Sequence, residues 1–313
     1  MDSRQRLVVG LGEALFDCFE NRQIAGGAPL NVAFHANQLL KNTDGSGAVA
    51  SRVGDDTLGR RLVQEIQSKG MATEWLQKDA DRPTGTVQVD ITAGDDALYH
   101  ISENVAWDQL EFTPQWKNLA ARCDAVVFGT LAQRSETSRR TIHDFLNHAS
   151  GAIRLFDVNL RADFYSDPVV RESLQLATAL KVNMHELQIL RSMFSSGNSK
   201  DHPDSVRSFV QELKVAFDLD WIALTNGEEG TKLFTGTTWI DGDPPKIPFD
   251  KEADSVGAGD ACCAALIVGR LLDWSPKEMV RAANFAGASV ASRQGATVPV
   301  DVAALIEFTL GNQ

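Results

Sequence analysis

Apolar and polar residues alternate with a changing period along the chain, and each change predicts a change of element. An apolar run at 48–53 predicts a buried strand, and the amphipathic segment 57–69 after it predicts a helix that Gly70 ends. Pro29 lies near the first turn of another predicted helix, which continues through Leu40. The first part of the chain therefore alternates between strand and helix.

Residues 86–101 have a different pattern, in which apolar and polar positions alternate on both sides of a polar turn at 93–96. This pattern predicts an exposed hairpin. From residue 125 onward, buried apolar strands alternate with helices, which is typical of a parallel sheet covered on both faces. These strands are predicted at 125–129, 154–157, 180–182 and 221–225, and the last helices at 277–292 and 302–310. Ligands of such sheets bind beyond the carboxyl ends of the strands.

Composition narrows the class of protein. With 313 residues, 43% of them hydrophobic and 23% charged, the chain can bury a large core, either in two domains or in one α/β unit with a small appendage. Its net charge of −12 argues against nucleic acid or anionic membranes as partners, because binding either requires clustered positive charge. No apolar stretch approaches the roughly 20 residues of a membrane span, and no signal-peptide core follows the N-terminus. We therefore expect a soluble, cytoplasmic protein.

The cysteines and histidines do not have the spacing of a metal site. Cys18, Cys123, Cys262 and Cys263 form no C-x-x-C pair, so we expect them to be reduced and mostly buried. The six histidines are scattered along the chain. Structural zinc is therefore disfavoured.

Residues 257–259, which we call the anion turn, carry the clearest chemical signal. Two glycines flank an alanine where a helix is predicted to begin, so several backbone N–H groups can point one way and bind an anion such as phosphate. Asp260 follows at once, and a carboxylate there can accept a proton from a hydroxyl group. This pairing favours a kinase. The alternative is a flexible turn in which Asp260 is only an N-terminal helix charge.

Two common nucleotide motifs are absent. Gly10-Leu-Gly12 and Gly257-Ala-Gly259 both lack the third glycine of G-x-G-x-x-G, which disfavours a dinucleotide site and weakens a dehydrogenase interpretation. The chain also has no G-x-x-x-x-G-K-[ST] segment, so it has no P-loop.

Taken in order, several segments resemble the motifs of the ribokinase-like (PfkB) carbohydrate kinase family. The resemblance covers nearly the whole chain and is greatest to fructokinases, through Gly-Glu-Ala-Leu-x-Asp and Asp-x-Asn-Leu-Arg. The matching segments are Gly12-Glu-Ala-Leu-Phe-Asp17, Gly26-Gly-Ala-Pro-Leu-Asn31-Val-Ala33, Arg52-Val-Gly-Asp55, Asp157-Val-Asn-Leu-Arg161, Asn183-Met-His-Glu186, Thr225-Asn-Gly-Glu228, Asp254-Ser-Val-Gly-Ala-Gly-Asp260 and Gly295-Ala-Thr-Val-Pro299.

The resemblance implies an α/β, ribokinase-like sandwich with a central, mainly parallel sheet and a small β lid. We expect a single domain over 1–313, with the lid formed by about 15–26 and 86–107 and closing over bound sugar. Only eight residues separate Asp17 from Gly26, so we expect a reduced lid. The resemblance is compatible with a homodimer, but a reduced lid argues against a dimer that forms through lid contacts.

The resemblance also assigns roles around the transferred phosphate. The counterpart of Asp260 is the catalytic base, and the N–H groups of Gly257, Ala258 and Gly259 form the anion hole. Asp17, Gly26, Gly27, Asn31 and Arg161 match the substrate-binding positions. For Arg161 the competing interpretation is a surface ion pair, and for Asn31 a solvated helix position. The lid residues Asn104 and Asp108 are expected to face solvent.

On the nucleotide side, Asn183, Thr225, Gly227 and Asn284 match positions that line the ATP pocket. Glu186 is expected to hold Mg²⁺ through water, although Asn183 and Glu186 also have the spacing of a helix capping box. Backbone carbonyls near Asp254 and residues 289–295 could bind a monovalent cation such as K⁺.

These expectations combine into an ATP-dependent sugar kinase that transfers the γ-phosphate to a primary hydroxyl of a hexose, most simply fructose. A 2-keto-3-deoxygluconate kinase is the alternative enzyme, since such enzymes share the Asp-x-Asn-x-Arg segment. A sugar-binding regulator without catalysis is the alternative of another class, and the intact Asp260 counts against it.

Overall fold

Two β-sheets of unequal size organise the chain. The structure, a computed structural model, describes residues 5–91, 97–194, 203–236 and 238–311. The strands are β1 (Arg6–Leu11), β2 (Leu15–Phe19), β3 (Arg22–Gly26), β4 (Gly45–Gly54), β5 (Leu76–Asp79), β6 (Gly85–Ile91), β7 (Ala97–Ile101), β8 (Ala125–Phe128), β9 (Ile153–Asp157), β10 (Ala179–Asn183), β11 (Trp221–Thr225), β12 (Thr231–Phe234) and β13 (Trp239–Asp241). The helices are α1 (Ala28–Leu40), α2 (Thr57–Ser68), α3 (Pro114–Arg122), α4 (Glu136–His148), α5 (Asp167–Leu176), α6 (Met184–Phe194), α7 (Pro203–Ala216), α8 (Ala258–Leu271), α9 (Pro276–Ala291) and α10 (Val302–Leu310).

The larger sheet has the strand order β13-β12-β11-β10-β9-β8-β1-β4-β5. Its strands from β11 through β5 pair in parallel, whereas β12 and β13 add to the β11 edge in antiparallel orientation. The predicted mainly parallel α/β sheet is therefore confirmed. Because the strands are parallel, β1, β9, β10 and β11 bring their carboxyl ends to one edge, where the predicted site residues lie.

Helices cover both faces of this sheet, and strand β8 shows how the sequence specifies it. Val126 and Phe128 pack into the core beneath α3 to α7, whereas Ala125 and Val127 pack into the core beneath α1, α8, α9 and α10. A strand that is apolar on both faces is what a doubly covered parallel sheet requires.

The smaller sheet has the order β3-β2-β6-β7. Strands β6 and β7 pair in antiparallel orientation, which confirms the predicted hairpin, although residues 92–96, including the predicted turn, lie outside the described residues. Strand β2 pairs with β3 and, in parallel, with β6. The segments expected to form a lid thus meet in one sheet, except that residues 102–107 lie beyond its last strand.

Helix α1 lies very close to the larger sheet because two strand residues lack side chains. A Cβ added at Gly10 would lie 1.9 Å from the carbonyl oxygen of Pro29, and one added at Gly47 would lie 1.9 Å from that of Ala33. Only glycine permits this approach. This close approach holds α1 against the sheet, where α1 also packs against α8.

Two further expectations concern membrane spans and the state of the cysteines. All four cysteines are free and buried, as predicted. Among the described residues, no helix combines the length and the hydrophobicity needed to span a bilayer.

Candidate active site

The anion turn forms the N-terminus of α8. Gly257 is its N-cap and has φ 80°, a left-handed conformation, and an added Cβ would lie 2.5 Å from Cα of Ala296, so glycine is required twice over. The N–H of Ala258 donates to the carbonyl oxygen of Ser255 at 3.2 Å. The N–H of Ala258 therefore already has an acceptor, contrary to the expectation that it is free. The N–H groups of Gly257, Gly259 and Asp260 have no acceptor among the described residues.

Asp260 lies in the first turn of α8 and is half-buried. The side-chain amide of Asn31, from α1, donates to its Oδ2 at 2.8 Å. Burial and the nearby Asp157 raise the pKa of Asp260 to about 6, against the opposing effects of Asn31, Lys181 and Arg161. At neutral pH, Asp260 is therefore mostly ionised and can accept a proton. Asn31 thus orients this carboxylate, and its Oδ1 has no partner among the described residues, so its expected contact with sugar stays a prediction.

His35, one turn further along α1, holds the other side of the anion turn. Its Nε2 lies 2.8 Å from the carbonyl oxygen of Ala296, so Nε2 carries the proton and donates. Burial lowers the pKa of His35 to about 4, so the ring is neutral. Since Ala296 packs against Gly257, one helix fixes both the base and the turn.

The small sheet contributes Asp17. A Cβ added at Gly26 would lie 2.6 Å from Oδ2 of Asp17, and one added at Gly27, which has φ 107°, would lie 2.6 Å from the carbonyl oxygen of Glu13. The two glycines thus make room for a carboxylate and for backbone. Burial raises the pKa of Asp17 to about 6, Arg161 opposes this rise, and Asp260 adds to it.

Glu13 is a site residue that the sequence argument missed. It is only 3% exposed, and its Oε2 has no hydrogen-bond partner. Burial raises its pKa to about 7, an increase that hydrogen bonds to the backbone of Glu13 and Ala28 limit and that the charge of Asp260 reinforces. We call Glu13, Asp17 and Asp260 the carboxyl cluster. The missed signal was an acidic residue between two apolar strands.

Arg161 is the cation that faces this cluster. It is exposed, has no ion pair within 4 Å in the part of the chain that the structure describes, and lowers the pKa of each member of the carboxyl cluster. Asn159 (φ 39°) and Ala162 (φ 44°) flank it in left-handed conformations. Such strain is common at functional sites. The surface ion-pair interpretation is therefore disfavoured.

A second pair of charges, also missed, lies in the large sheet beside the anion turn. The ammonium of Lys181 contacts both carboxylate oxygens of Asp157 at 2.9 Å. Burial lowers the pKa of Lys181, but Asp157, together with the smaller effects of Cys263, Glu186 and Cys262, outweighs burial and raises the pKa well above its ordinary value.

Asn183 and Glu186 form the capping box that was the competing interpretation. The N–H of Glu186 donates to Oδ1 of Asn183 at 2.8 Å, and the N–H of Asn183 donates to Oε2 of Glu186 at 2.9 Å. Oε1 of Glu186 also accepts from the N–H of Leu160 at 3.2 Å, which ties the loop of Arg161 to α6. Burial and Asp157 raise the pKa of Glu186. Each oxygen retains a lone pair, so the cap does not prevent a water-mediated metal contact.

The remaining nucleotide-side residues lie around the ends of β11 and β12. Thr225 ends β11, and Gly227 (φ 52°) opens on space with no heavy atom within 4 Å of an added Cβ. Asn284 is buried; its Oδ1 accepts from the N–H of Thr231 at 2.8 Å, and its Nδ2 donates to the carbonyl oxygen of Gly242. Asn284 therefore connects the start of β12 to the segment that follows β13.

Asp254 accepts hydrogen bonds from the N–H groups of Gly295 and Val256, each at 3.2 Å. Its own N–H donates to the carbonyl oxygen of Arg293, so the two segments expected to frame a monovalent cation lie side by side. Asn104 is exposed, as expected.

The expectation for Asp108 is wrong. It is buried, because Arg134 binds it with two hydrogen bonds of 2.8 and 2.9 Å and stacks on Trp107. A sequence pattern cannot show a partner 26 residues away.

A cavity of about 360 Å³ lies elsewhere, on the α6 and α7 side of the large sheet. Leu187, Phe209 and Leu224 belong to its walls, and Asn226 is the point at which it approaches the nucleotide-side loop. It includes none of the predicted site residues. The carboxyl cluster and the anion turn lie toward the α1 and α8 side, so we place the active site there.

Nearly the whole chain is similar to proteins of one family. Residues 4–303 match the model of the pfkB family carbohydrate kinases. A fructokinase from Vibrio alginolyticus is 26% identical over 304 residues, covering 91% of this chain and 92% of its own, and a 2-dehydro-3-deoxygluconokinase from Bacillus subtilis is 25% identical over 248 residues, covering 76% and 72%. A double-mutant fructokinase from Vibrio cholerae, solved with fructose, ADP and potassium ion bound, superposes with a TM-score of 0.79 at 22% identity, covering 99% of each chain.

Proposed function

Because the chain belongs to the pfkB family of carbohydrate kinases, we propose that it is an ATP-dependent sugar kinase that transfers the γ-phosphate to a primary hydroxyl of a hexose, with fructose as the preferred acceptor. One observation carries the proposal: a half-buried carboxylate, oriented by Asn31, directly follows backbone N–H groups that lack protein acceptors. A proton acceptor beside an anion site is the arrangement that phosphoryl transfer to an alcohol requires.

The residues divide the reaction between them. Asp260 takes the proton of the acceptor hydroxyl as its oxygen bonds to the γ-phosphorus and the bond from that phosphorus to ADP breaks. The free N–H groups at the start of α8 and the guanidinium of Arg161 stabilise the negative charge on the transferred group. Asp17 accepts hydrogen bonds from sugar hydroxyls and so sets the hydroxyl beside Asp260. A loss of one such N–H donor typically costs about 2.7–4 kcal/mol of barrier.

Mg²⁺ would enter with the nucleotide. Among the described residues no group of three His, Cys, Asp or Glu side chains could hold a metal alone. Magnesium usually keeps several waters and binds one or two carboxylates together with substrate phosphates, which a buried Glu186 with spare lone pairs fits. When bound, the ion would offset the charge of the phosphates. Asn183 and Glu186 would hold it through water, and Thr225 and Gly227 would line the nucleotide. Carbonyls near Asp254 would bind a potassium ion.

Fructose is proposed over an acidic sugar on grounds of charge. The carboxyl cluster places three acidic groups against one guanidinium, so a sugar carboxylate would meet net repulsion there. The exposed guanidinium of Arg161 favours the second candidate, 2-keto-3-deoxygluconate, because it has no ion pair among the described residues and could bind a carboxylate. A relative with that activity is comparable in identity to the fructokinase.

The test is an assay of ADP release over fructose, ribose, 2-keto-3-deoxygluconate and nucleosides with Mg-ATP, repeated with potassium, sodium or tetramethylammonium as the monovalent cation. We expect the highest kcat/KM with fructose and the highest rate with potassium. Equal rates in the three salts would remove the potassium site. No turnover on any acceptor, with a sugar that still raises thermal stability, would favour the regulator.

Asp260→Asn tests the chemistry in the same assay. We expect it to keep ATP binding and to lose kcat by about 10² to 10⁴-fold, the usual contribution of a positioned general base. The matched control is Asp273→Asn, at an exposed position at the far end of α8, which should leave kcat unchanged. A near-normal kcat for Asp260→Asn would remove Asp260 from the role of base.

A further inference from the structure

Lys181 and Asp157 occupy an unusual place for charged residues. They face each other directly in the parallel register of β10 and β9, in the interior of the large sheet. The alternation along β10 sends Leu180 and Val182 into one core and Ala179 toward α8, so Lys181 also points toward α8. The apolar pattern of the strand is thus broken at the position that faces the anion turn.

The pair is buried and tightly held. Lys181 is 7% exposed and Asp157 is 3% exposed, and Nζ lies 2.9 Å from both carboxylate oxygens. A Cβ added at Gly259 would lie 3.4 Å from Nζ, so the ammonium is next to the last residue of the anion turn. The absence of a side chain at Gly259 keeps the space between the ammonium and the turn open.

Stability alone does not account for such a pair. Removing two charges from water costs several kcal/mol per ion, and replacement of a buried ion pair by apolar residues of similar volume is often neutral or stabilising. A hydrophobic pair would suit the core around α8, which consists mainly of alanine, cysteine, valine and leucine side chains. The placement beside the anion turn therefore needs a functional explanation.

We propose that Lys181 is a positioning residue of the phosphoryl-transfer site: its ammonium, fixed by Asp157, places a permanent positive charge beside the anion turn, where the transferred phosphoryl group would bind. This inference rests on the proposed kinase function. The positive charge attracts the phosphate that the N–H groups bind, and it adds to the positive end of the α8 dipole. Asp157 in turn prevents the ammonium from moving or losing its proton.

The effect on Asp260 is a balance of charges from several elements. The hydrogen bond from Asn31 and the charges of Lys181 and Arg161 favour its ionised form, whereas burial and Asp157 oppose it, and the effect of Asp157 is larger than that of Lys181. The groups that face Asp260 are Asp157 from β9, Lys181 from β10, Arg161 from the loop after β9, Asn31 from α1, Asp17 from β2, Glu13 from the segment between β1 and β2, and the Cys262 and Cys263 thiols of α8.

The test compares three variants by kcat, KM and the pH dependence of kcat. The double variant Lys181→Met with Asp157→Asn replaces the pair by neutral groups of similar size, and we expect kcat to fall at least tenfold with KM for the sugar within twofold. Asp157→Asn alone leaves the ammonium and should move the acidic limb of the pH profile down by about one unit. Lys181→Met alone leaves the carboxylate and should move it up by about one unit.

Arg52 and Asp79 provide a control, because they form another ion pair with little exposure, with 3.0 Å between Nε and Oδ2, between neighbouring parallel strands of the same sheet. Arg52→Met with Asp79→Asn should change Tm but neither kcat nor the acidic limb. A double variant at 181 and 157 with wild-type kcat, or a control variant with an equal loss of kcat, would overturn the inference. If Lys181→Met does not fold, the inference is decided by two other measurements: the acidic limb of the pH profile of Asp157→Asn and the kcat of the double variant. A wild-type protein that turns over no sugar would instead contradict the proposed function.

Discussion

At the scale of single residues, the site is an arrangement of charges that oppose one another. The carboxyl cluster brings three acidic groups together with one exposed guanidinium, and burial raises the pKa of each acid. Asp260 remains mostly ionised at neutral pH, whereas Glu13, with a pKa of about 7, is divided between its two forms. Because the folded-state pKa values of these acids are raised, the folded protein loses stability as the pH rises through them.

Glu13→Gln should reveal this cost as a pH-dependent gain in stability. The folded-state pKa of about 7 lies above the ordinary 4.5, so the folded protein binds the proton more tightly than the unfolded chain. The contribution of Glu13 is then intact at low pH and is lost as pH rises through about 7. The difference corresponds to about 3 kcal/mol as an upper bound, at about 1.36 kcal/mol per pKa unit. We expect Glu13→Gln to raise Tm at pH 8 and to leave it unchanged at pH 4.

The measurement is thermal unfolding at the two pH values, with the exposed Glu252→Gln as control. The control should have the same Tm as wild type at both. If Glu13→Gln changed Tm by equal amounts at pH 4 and pH 8, the ionisation of Glu13 would not be the cause.

The sequence revealed those site residues that stand in a recognisable pattern. Asp260, Asp17 and Gly257 stand in such patterns and come together in space. Lys181 does not stand out in the sequence, because a single lysine in a short apolar run carries no local sign of burial and its partner Asp157 is in another strand. Asn183 and Glu186 do stand in a recognisable pattern, but the same spacing fits both a helix cap and a metal site. The structure confirms the cap and does not test the metal site.

At the scale of elements, the site depends on two helices that pack without intervening side chains. Helix α1 touches the strands through Gly10 and Gly47, and it reaches Asp260 and Ala296 through Asn31 and His35. Helix α8 can begin where it does only because Gly257 adopts a left-handed backbone conformation and has no side chain that would overlap Ala296.

Gly257→Ala should therefore disrupt both the turn and the fold around it. The left-handed conformation costs a non-glycine residue about 1–2 kcal/mol, and the new methyl group would also overlap Ala296. We expect a loss of at least about 2 kcal/mol in the free energy of unfolding and at least a hundredfold loss of kcat. Urea unfolding and the ADP-release assay measure the two effects.

Gly151→Ala is the control for this change, because no heavy atom lies within 4 Å of the added Cβ. It should alter neither stability nor kcat appreciably. Normal activity of Gly257→Ala would show that the turn tolerates a side chain and does not bind the phosphate through its backbone.

The elements themselves were predictable where their pattern was strong. The strand over 221–225 has the predicted bounds, the helix with Pro29 in its first turn ends at Leu40 as predicted, and the helix predicted over 57–69 ends one residue earlier. The edge strands β3, β5 and β13 were not predicted. They are short and carry polar residues, since only one side of an edge strand is paired and little of it is buried.

At the scale of the whole molecule, the proposed reaction requires the two sheets to act together. Asp17 belongs to the small sheet, whereas Asp260, the anion turn and the nucleotide-side residues belong to the large sheet and its helices. A sugar between them should link the sheets and stabilise both. This arrangement could not be derived from local patterns, because it depends on how residues 15–26 pair with residues near 85.

Asp17→Asn should separate sugar binding from nucleotide binding. A ligand at a hundred times its Kd stabilises a protein by about 2.7 kcal/mol, so saturating fructose should raise the wild-type Tm by several degrees. Asparagine keeps the shape of the side chain but loses charge-assisted hydrogen bonds worth about 1.5–3 kcal/mol, so fructose should bind roughly ten- to a hundredfold more weakly. The rise in Tm with a non-hydrolysable ATP analogue should remain, because the groups proposed to hold it are on the other sheet. Glu20→Gln, exposed at the turn between β2 and β3, should behave as wild type with both ligands. An Asp17→Asn protein that keeps the full response to fructose would show that the small sheet does not hold the sugar.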